Sequence, residues 1–255
     1  MTTYNKTYLT KLITNLKPGM VILSPWLQEI GISRNLQKYY RNSVWLEPIG
    51  TGAYKRPNDK IDWQGGLYAM QYQKKLNIHA GALTALSLQG LSHFFRFSNE
   101  KIFLFSPRKT KLPKWFEDYN WGYSIFHKQT NFLPFDLGIT EYEEKNYPIR
   151  ISSSERAILE CLYLSPSIID LTECYHIMEG LANLRPKLLQ KLLQECNSIK
   201  VKRLFLYFAE KINHMWMQYI DTSLINIGTG NRRIAGGGVY ISKYQITIPN
   251  DIALL

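Results

Sequence analysis

The sequence predicts an α+β fold with a winged helix-turn-helix domain over residues 1–96, followed by a mixed α/β domain over residues 97–255. Two short helical segments separated by a glycine turn precede a strand hairpin, which is the order of elements in a winged helix. Beyond them, short apolar runs give way to longer helical patterns. The 255 residues, 45% of them apolar, are enough for one large domain or for two smaller ones with separate cores.

The positive charge of the chain is concentrated near its N-terminal end. The net charge is +11, of which residues 1–96 carry +8 and residues 97–255 carry +3. Localised basicity is expected of a protein that binds a polyanion, although many basic soluble proteins do not bind nucleic acid. The charge alone therefore does not predict nucleic-acid binding, and a specific structural element has to support that function.

The sequence contains neither a membrane span nor a secretory signal. Its longest strictly apolar run, Leu204–Ala209, is far shorter than the roughly 20 residues that cross a bilayer, and the first residues lack the apolar block of a signal peptide. Three widely spaced cysteines, Cys161, Cys174 and Cys196, do not form a disulfide framework. We therefore expect a cytoplasmic protein without a membrane partner.

Local start and stop signals predict the first two helices. Tyr4–Leu16 has apolar residues at helical spacing and ends at Lys17-Pro18-Gly19. After a short extended piece, Ser24 is suited to cap a helix over Pro25–Ile30, because proline at the first helical position needs no backbone N–H.

The next predicted helix, from Arg34 to about Ser43, is the candidate recognition helix. A helical wheel places Leu36, Tyr39 and Tyr40 on one face. Cations and amides lie on the opposite face. Side chains of these kinds are the ones that contact phosphates and base edges in the major groove when a protein binds DNA. The predicted DNA-binding residues here are Ser33, which caps the helix, Arg34, Asn35, Gln37, Lys38 and Arg41. The alternative is an ordinary solvated face.

A hairpin after this helix predicts the wing. Strand-like runs flank Gly50-Thr51-Gly52, a turn signal. We expect Lys55 and Arg56 to meet the phosphate backbone from this wing. Two further helices, Trp63–Leu76 and Ala80–Gln89, are expected to close the first domain.

These residues resemble the AbiEi family of antitoxins and transcriptional regulators of type IV toxin–antitoxin systems. The stretches that carry the resemblance in the first domain are Ile32–Tyr40 with Trp45-Leu46, Gly50–Pro57, Asp62–Gly65 and Thr84–Leu86. Those in the second domain are Ser154–Leu159, Leu184–Leu189 and Lys200–Leu206. The resemblance covers nearly the whole chain, and its motifs are structural and DNA-facing rather than catalytic.

The resemblance implies a repressor that binds inverted repeats in the double-stranded DNA of its own promoter. It also implies that the C-terminal domain helps to counter a nucleotidyltransferase-like toxin without forming a stable complex with it. Composition and spacing show neither role. Two other functions stay open: a transcription factor with no toxin partner, and a nucleic-acid-processing enzyme whose active site the sequence does not mark.

The second domain is predicted to begin with strands and continue with helices. Residues 97–150 are strand-rich, and their aromatic residues are expected to pack in the core rather than to stack on single-stranded nucleic acid; they are Trp115, Phe116, Tyr119, Trp121, Tyr123 and Phe126. Ser152 and Glu155 have the spacing of a capping box. The remaining predictions are helices over Leu171–Glu179, from Pro186 and over Val201–Ile212, and hairpin strands around Gly236-Gly237-Gly238.

Lysines and arginines on two of these helices are candidates for contact with a partner. Lys187 and Lys191 fall on the polar face of the helix that starts at Pro186. Lys200, Lys202 and Arg203 form a basic cluster at the start of the next helix, where cations oppose the macrodipole. We expect these five to contact an acidic surface or DNA, a solvated helix end being the alternative.

The sequence shows no catalytic motif. No two of the five histidines have the spacing of a helical zinc site. The glycine-rich stretch Gly228–Gly238 lacks the Gly-Lys-Ser/Thr ending of a phosphate-binding loop and is better interpreted as a flexible basic hairpin loop. We therefore expect no enzyme activity, no metal and no cofactor.

Overall fold

The computed structural model describes residues 10, 12–14, 16–91, 101–143, 146–234 and 236–255. At the N-terminal end it contains a small antiparallel sheet with the strand order β1-β3-β2. These strands are β1 (Ile22–Leu23), β2 (Glu47–Gly50) and β3 (Ala53–Lys55), and the helices α1 (Ser24–Glu29) and α2 (Arg34–Asn42) lie between β1 and β2. This is the predicted winged helix-turn-helix. Of the predicted helix Tyr4–Leu16, positions 10 and 12–14 are helical, and residues 1–9 lie outside the described part.

Capping explains where α2 begins. The Ser33 hydroxyl accepts a hydrogen bond from the backbone N–H of Leu36 at 3.3 Å, as the sequence predicts. The turn before it contains Gly31 at a φ of +93°, a conformation that favours glycine. Ser24 does not cap α1, since the helix begins at Ser24 itself with Leu23 in the capping position. The prediction of a Ser24 cap is therefore wrong.

A five-stranded mixed sheet organises the rest of the chain in the order β6-β5-β4-β8-β7. The central strand β4 pairs antiparallel with β5 and parallel with β8. The strands are β4 (His79–Ala80), β5 (Lys101–Ser106), β6 (Ser124–Gln129), β7 (Ile139–Tyr142) and β8 (Ile149–Ser152).

Helices pack against this sheet and against each other. They are α3 (Trp63–Tyr68), which continues into a π-helical turn (Ala69–Gln73), α4 (Ala82–Leu88), α5 (Lys114–Asp118), α6 (Ser154–Leu164), α7 (Leu171–Gly180), α8 (Pro186–Glu195), α9 (Ile199–Ile212) and α10 (Asn250–Leu254). A third sheet has the order β10-β11-β9 and contains β9 (Arg232–Arg233), β10 (Val239–Ile241) and β11 (Ile246–Ile248). In the described part of the chain, no helix is both long and apolar enough to span a bilayer.

The largest buried cluster contains residues from both sides of position 96. Leu67 and Leu86 from the first part pack in the same cluster as Leu159 and Leu204 from the second. The two parts share this cluster because β4, at the centre of the main sheet, comes before residue 96 and pairs with β5 and β8. The boundary between 96 and 97 itself lies outside the described residues.

Two local predictions in the second part are wrong. Ser152 and Glu155 form no capping box, because the Ser152 hydroxyl donates to Glu160 and Glu155 binds Arg185 instead. The C-terminal hairpin turns at residues 242–245, between β10 and β11, rather than around residues 236–238. The aromatic prediction is confirmed for the three that are buried in the core, Trp115, Phe116 and Trp121.

A fully buried carboxylate joins the central strands to α6. Glu160 Oε1 lies 2.9 Å from His79 Nε2 and accepts a hydrogen bond from Arg156 Nε at 2.8 Å. Its Oε2 accepts from the backbone N–H of Ala82 at 2.9 Å and from the Ser152 hydroxyl at 2.7 Å. A charge excluded from water is stable only when it is paired in this way, because desolvation otherwise costs several kcal/mol.

The network shifts the pKa of both titrating members. Burial raises the pKa of Glu160, but His79, Arg156 and Ser152 outweigh it and lower the pKa to about 2. Burial lowers the pKa of His79, and the positive charges of Arg156 and Arg150 lower it further. Glu160 raises it, but the net shift of the pKa is downward. Glu160 is therefore ionised and His79 is neutral at pH 7, with Arg156 supplying the opposite charge.

Replacing Glu160 with Gln should lower the free energy of unfolding by about 3–5 kcal/mol, because Arg156 then stays buried without its counter-ion. The folded-state pKa of Glu160, about 2, lies below its ordinary value of 4.5. Its stabilising contribution is therefore complete above pH 4.5 and is lost as the pH falls towards 2. Urea unfolding across this range should show a weaker pH dependence for the variant, and the exposed Glu117→Gln is the control. Equal stability of wild type and Glu160→Gln at pH 7 would contradict this account.

Candidate nucleic-acid interface

The outer face of α2 presents the predicted cations to solvent. Arg34, Asn35, Lys38 and Arg41 are all exposed, as is the capping Ser33. Successive turns of one helix thus place three cations and an amide on one side, which suits a major groove about 12 Å wide. The structure therefore places these five residues on the exposed side of α2, as the helical wheel predicts.

Gln37 is the exception on this helix. It is only 2% exposed, and its amide Nε2 donates to the carbonyls of Ser24 and Ile32 at 3.2 and 2.9 Å. Its Oε1 accepts from the Ser24 hydroxyl at 2.6 Å. The expected contact of Gln37 with DNA is therefore corrected: its side chain fixes α1 against α2. Tyr39 departs from the helical wheel in the opposite sense, since this residue is 44% exposed.

The wing is held on two sides. The backbone N–H of Ser24 donates to the Gly52 carbonyl at 2.8 Å, which ties the hairpin tip to the start of α1. On the other side, a Cβ built on Gly50 would lie 2.7 Å from Cβ of Trp115, so a side chain larger than hydrogen does not fit there. The hairpin is consequently a fixed part of the surface.

The two predicted wing cations lie at the base of the hairpin and have partners within the protein. Lys55 Nζ lies 3.1 Å from Glu47 Oε1 and donates to the Asp59 carbonyl at 3.0 Å. The half-buried Arg56 donates to the Leu16 carbonyl at 3.4 Å. Neither side chain lies at the hairpin tip, so both are poorly placed to hold a phosphate from the wing.

Two lysines that sequence patterns do not mark lie beside the hairpin tip. A groove runs between α1, the tip and α5, and the exposed Lys74 and Lys114 line it together with Arg34. Thr51 and Gly52 of the tip form part of the same groove. No spacing rule could have found these lysines, because they are brought to Arg34 by tertiary packing from 40 and 80 residues further along the chain.

The five candidate cations of the second part fall into two groups. Lys187 and Lys191 are exposed on α8, as predicted. Lys200 instead donates to the carbonyls of Tyr163 and Ser165, at the end of α6. Lys202 is 4% exposed. The expectation that Lys202 contacts a partner directly is therefore corrected, and Lys200 has a structural role at the end of α6.

Arg203 is fully buried and joins the third sheet to α9. Its guanidinium donates to the carbonyls of Ile227, Gly228, Gly230 and Gln245, at distances from 2.6 to 3.1 Å. Buried carbonyl groups need such donors. The prediction of a partner contact is wrong for Arg203 because these donors are used within the loop at residues 227–230 and at Gln245.

The described residues offer no obvious catalytic centre. Nowhere among them do three His, Cys, Asp or Glu side chains gather as metal ligands. The three cysteines are free and buried. Burial raises the pKa of the Cys174 thiol, and it raises that of Cys196 to about 11. Thiols in this environment are protonated and poor nucleophiles.

Comparisons with known proteins agree with this geometry. The model of the AbiEi antitoxin N-terminal domain of transcriptional regulators matches residues 5–97. The model of the AbiEi antitoxin, a transcriptional regulator of type IV toxin–antitoxin systems, matches residues 99–249. The crystal structure of the RV2827C protein from Mycobacterium tuberculosis is similar, with a TM-score of 0.57 and 12% identity over 96% of this chain and 91% of that chain. At this identity it supports the fold alone. No curated protein matches the chain in sequence.

Two amides on α2 allow a direct test of these positions. Gln37→Leu keeps the side-chain size but removes the hydrogen bonds to Ser24 and Ile32, so it should cost about 1–3 kcal/mol of unfolding free energy. Asn35→Ala on the exposed face is the matched control and should change it by no more than about 0.5 kcal/mol. Urea denaturation measures both. Two equally small effects, each within about 0.5 kcal/mol, would contradict the buried position of Gln37.

Proposed function

Because the chain belongs to the AbiEi family of antitoxins, which are transcriptional regulators of type IV toxin–antitoxin systems, we propose that it represses its own operon and counters a nucleotidyltransferase-like toxin. The observation that carries the first part is the exposed row of cations and an amide on α2. The family membership supports the second part.

The recognition helix supplies specificity in this proposal. Arg34, Lys38 and Arg41 reach phosphates and guanine edges in the major groove, while Asn35 pairs with an adenine edge. The capping hydroxyl of Ser33 and the backbone at the start of α2 lie where a phosphate is favoured by the helix dipole. Gln37 contributes by keeping α2 at a fixed angle to α1.

Phosphate contacts from the wing side supply affinity. Lys74 and Lys114 flank the hairpin tip and share a groove with Arg34, so a duplex seated on α2 passes within their reach. We assign them the phosphate-binding role that the hairpin pattern predicts for Lys55 and Arg56. Each neutralised phosphate releases condensed counterions, which makes binding dependent on salt.

Inverted repeats follow from the use of one recognition helix per chain. Two copies bound to half-sites about one helical turn apart give an operator with two-fold symmetry. Autoregulation then needs only that this operator overlap the promoter of the gene itself. No membrane takes part in this scheme.

The antitoxin activity is assigned to the second part of the chain. Type IV antitoxins counter their toxins without a stable complex, so the proposed contact is with the toxin's target or with the toxin in passing. Lys187 and Lys191 are the candidate residues, because both are exposed on one face of α8. Lys200 and Arg203 donate to carbonyls within the fold and Lys202 is buried, so none of the three is assigned to this contact.

Arg34→Ala and Lys38→Ala should each weaken binding to the promoter of the operon by about 1–3 kcal/mol, because each removes a base-edge contact. Lys74→Ala and Lys114→Ala should instead weaken binding to all sequences alike. Each should reduce the slope of log K against log salt by about 0.9. Gel shifts and fluorescence anisotropy across a salt series, on operator and scrambled duplexes, measure both effects.

Lys109→Ala/Arg233→Ala removes two exposed cations outside this surface and is the control for net charge. Wild-type affinity of Arg34→Ala and Lys38→Ala for the operator would exclude α2 from the groove. A changed sequence preference with an unchanged salt slope in Lys74→Ala would contradict its phosphate contact.

Repression and neutralisation should separate in point variants. When the protein and the neighbouring toxin are expressed from unrelated promoters, Arg34→Ala/Lys38→Ala should still protect cells, because only the DNA contact is lost. Lys187→Ala/Lys191→Ala should repress normally and protect poorly. Cell survival and a promoter reporter measure the two activities. Loss of protection in the first variant with normal protection in the second would reverse the assignment.

A further inference from the structure

A concave basic surface in the second part of the chain has no role in the proposed DNA contact. It is a cleft of about 460 Å³ between the segment that follows β5, the segment that follows β6 and the start of α9. Its lining includes Arg108, Thr130, Asn131, Lys200 and Arg232. This volume falls in the range of small-molecule sites, about 300–1,000 Å³.

Several cations converge on this cleft from separate elements. Arg108 follows β5, Lys200 lies in the first turn of α9 and Arg232 lies in β9. Lys128 of β6 stands beside them: its Nζ is 5.5 Å from the centre of the Tyr163 ring, and Lys200 Nζ is 5.8 Å from the same centre. Four positive charges are thus gathered around one opening. Lys200 directs two of its three N–H donors at the carbonyls of Tyr163 and Ser165, so it contributes mainly its charge, and Arg108 and Arg232 are the cations available for direct contact.

No carboxylate within the described residues balances these charges. The residues that line the cleft include no Asp or Glu, and none of the four cations forms an ion pair in the described part of the chain. Burial lowers the pKa of Lys200, and the nearby charge of Lys128 lowers it further. Lys128 and Lys200 are half-buried beside the same ring, and repulsion between such like charges raises the free energy of the folded state unless an anion is bound. Arg108 and Arg232 are exposed, so solvent screens their charges in the absence of a ligand.

The walls of the cleft are fixed before any ligand arrives. The backbone N–H of Asn197 donates to the Phe132 carbonyl at 2.8 Å, and that of Thr130 donates to the Ser106 carbonyl at 2.9 Å. The Thr130 hydroxyl donates to the Tyr163 hydroxyl at 3.1 Å. A preformed site avoids the entropy that is lost when a flexible one closes around its ligand.

The start of α9 adds to the positive potential. This helix has 14 residues, and Ser198 at its cap and Ile199 and Lys200 in its first turn line the cleft. The first backbone N–H groups of a helix have no intrahelical acceptor, and the helix dipole favours negative charge there. The side-chain amide of Asn131 provides a neutral N–H donor on the same wall, since it is the Oδ1 of this amide that accepts from the backbone N–H of Arg108 at 3.1 Å.

We propose that this cleft binds the polyphosphate group of a nucleotide. The four positive charges around this opening match the charge of a triphosphate, which carries several negative oxygens in a compact chain. The same chemistry could come from the backbone of a single-stranded nucleic acid. The nucleotide is favoured because the surface is concave and of small-molecule size, whereas a strand needs an extended track.

Isothermal titration calorimetry of the full-length protein at low salt tests this inference. The probes are sodium tripolyphosphate, ATP, GTP and orthophosphate, together with a short single-stranded RNA without a terminal phosphate. Saturable binding is expected for tripolyphosphate and for at least one nucleoside triphosphate, with much weaker binding of orthophosphate. The variant Arg108→Ala/Arg232→Ala should lose at least about tenfold in affinity, because both charge-assisted contacts are removed.

The neighbouring pair Lys109→Ala/Arg233→Ala is the matched control, since it removes equal charge from exposed positions that do not line the cleft. Its affinity for tripolyphosphate should stay within about twofold of the wild type. Arg34→Ala should also leave this binding unchanged, which separates the inference from the DNA proposal. Equal loss in the two double variants, absence of saturable binding to any triphosphate, or binding of the RNA alone would each overturn it.

Discussion

The buried carboxylate of Glu160 is the interaction on which the positions of the other elements depend. Its two oxygens contact β4 through His79, the start of α4 through Ala82, the end of β8 through Ser152, and its own helix through Arg156. Arg156 extends the network to the carbonyls of residues 134 and 137. Elements on both sides of position 96 are thus tied to one charge. Gly81 makes the approach possible, because a Cβ there would lie 2.2 Å from Glu160 Oε2.

The proposed DNA-binding surface is positioned by this body and not by the winged helix alone. The buried amide of Gln73 accepts from the backbone N–H of Leu23 and donates to the Val21 carbonyl, both at 2.8 Å, which attaches the strand before α1 to the helix after the wing. On the other side of the hairpin, Trp115 packs closely against Gly50. The orientation of α2 therefore follows from a chain of contacts that begins in the main sheet. Lys74 and Lys114 belong to the same surface because they lie on the elements that hold it.

Local chemistry made much of this fold predictable, and long-range contacts account for what was missed. The Ser33 cap, the proline in the first turn of α1, the Gly50-Thr51-Gly52 hairpin and the helix starting at Pro186 depend on a few adjacent residues, which a sequence displays directly. The prediction that Gln37 is exposed is wrong because this residue lies at the edge of the helical wheel. Hydrophobic patterning does not distinguish a buried amide from an exposed one at such a position. Arg203 was misjudged because its carbonyl partners lie 24 to 42 residues away.

The contacts of the cations, more than their number, separate structural from functional charge in this protein. Arg156 and Arg203 direct their donors at buried carbonyls and a carboxylate, so they stabilise the fold and have little to offer a ligand. Arg34, Lys38, Lys74 and Lys114 keep exposed side chains at one surface, although they come from both sides of position 96. The charge excess of residues 1–96 therefore locates only part of the proposed DNA-binding surface. What defines that surface is a set of cations whose counter-ions the protein does not provide, because only such cations gain free energy when a polyanion arrives.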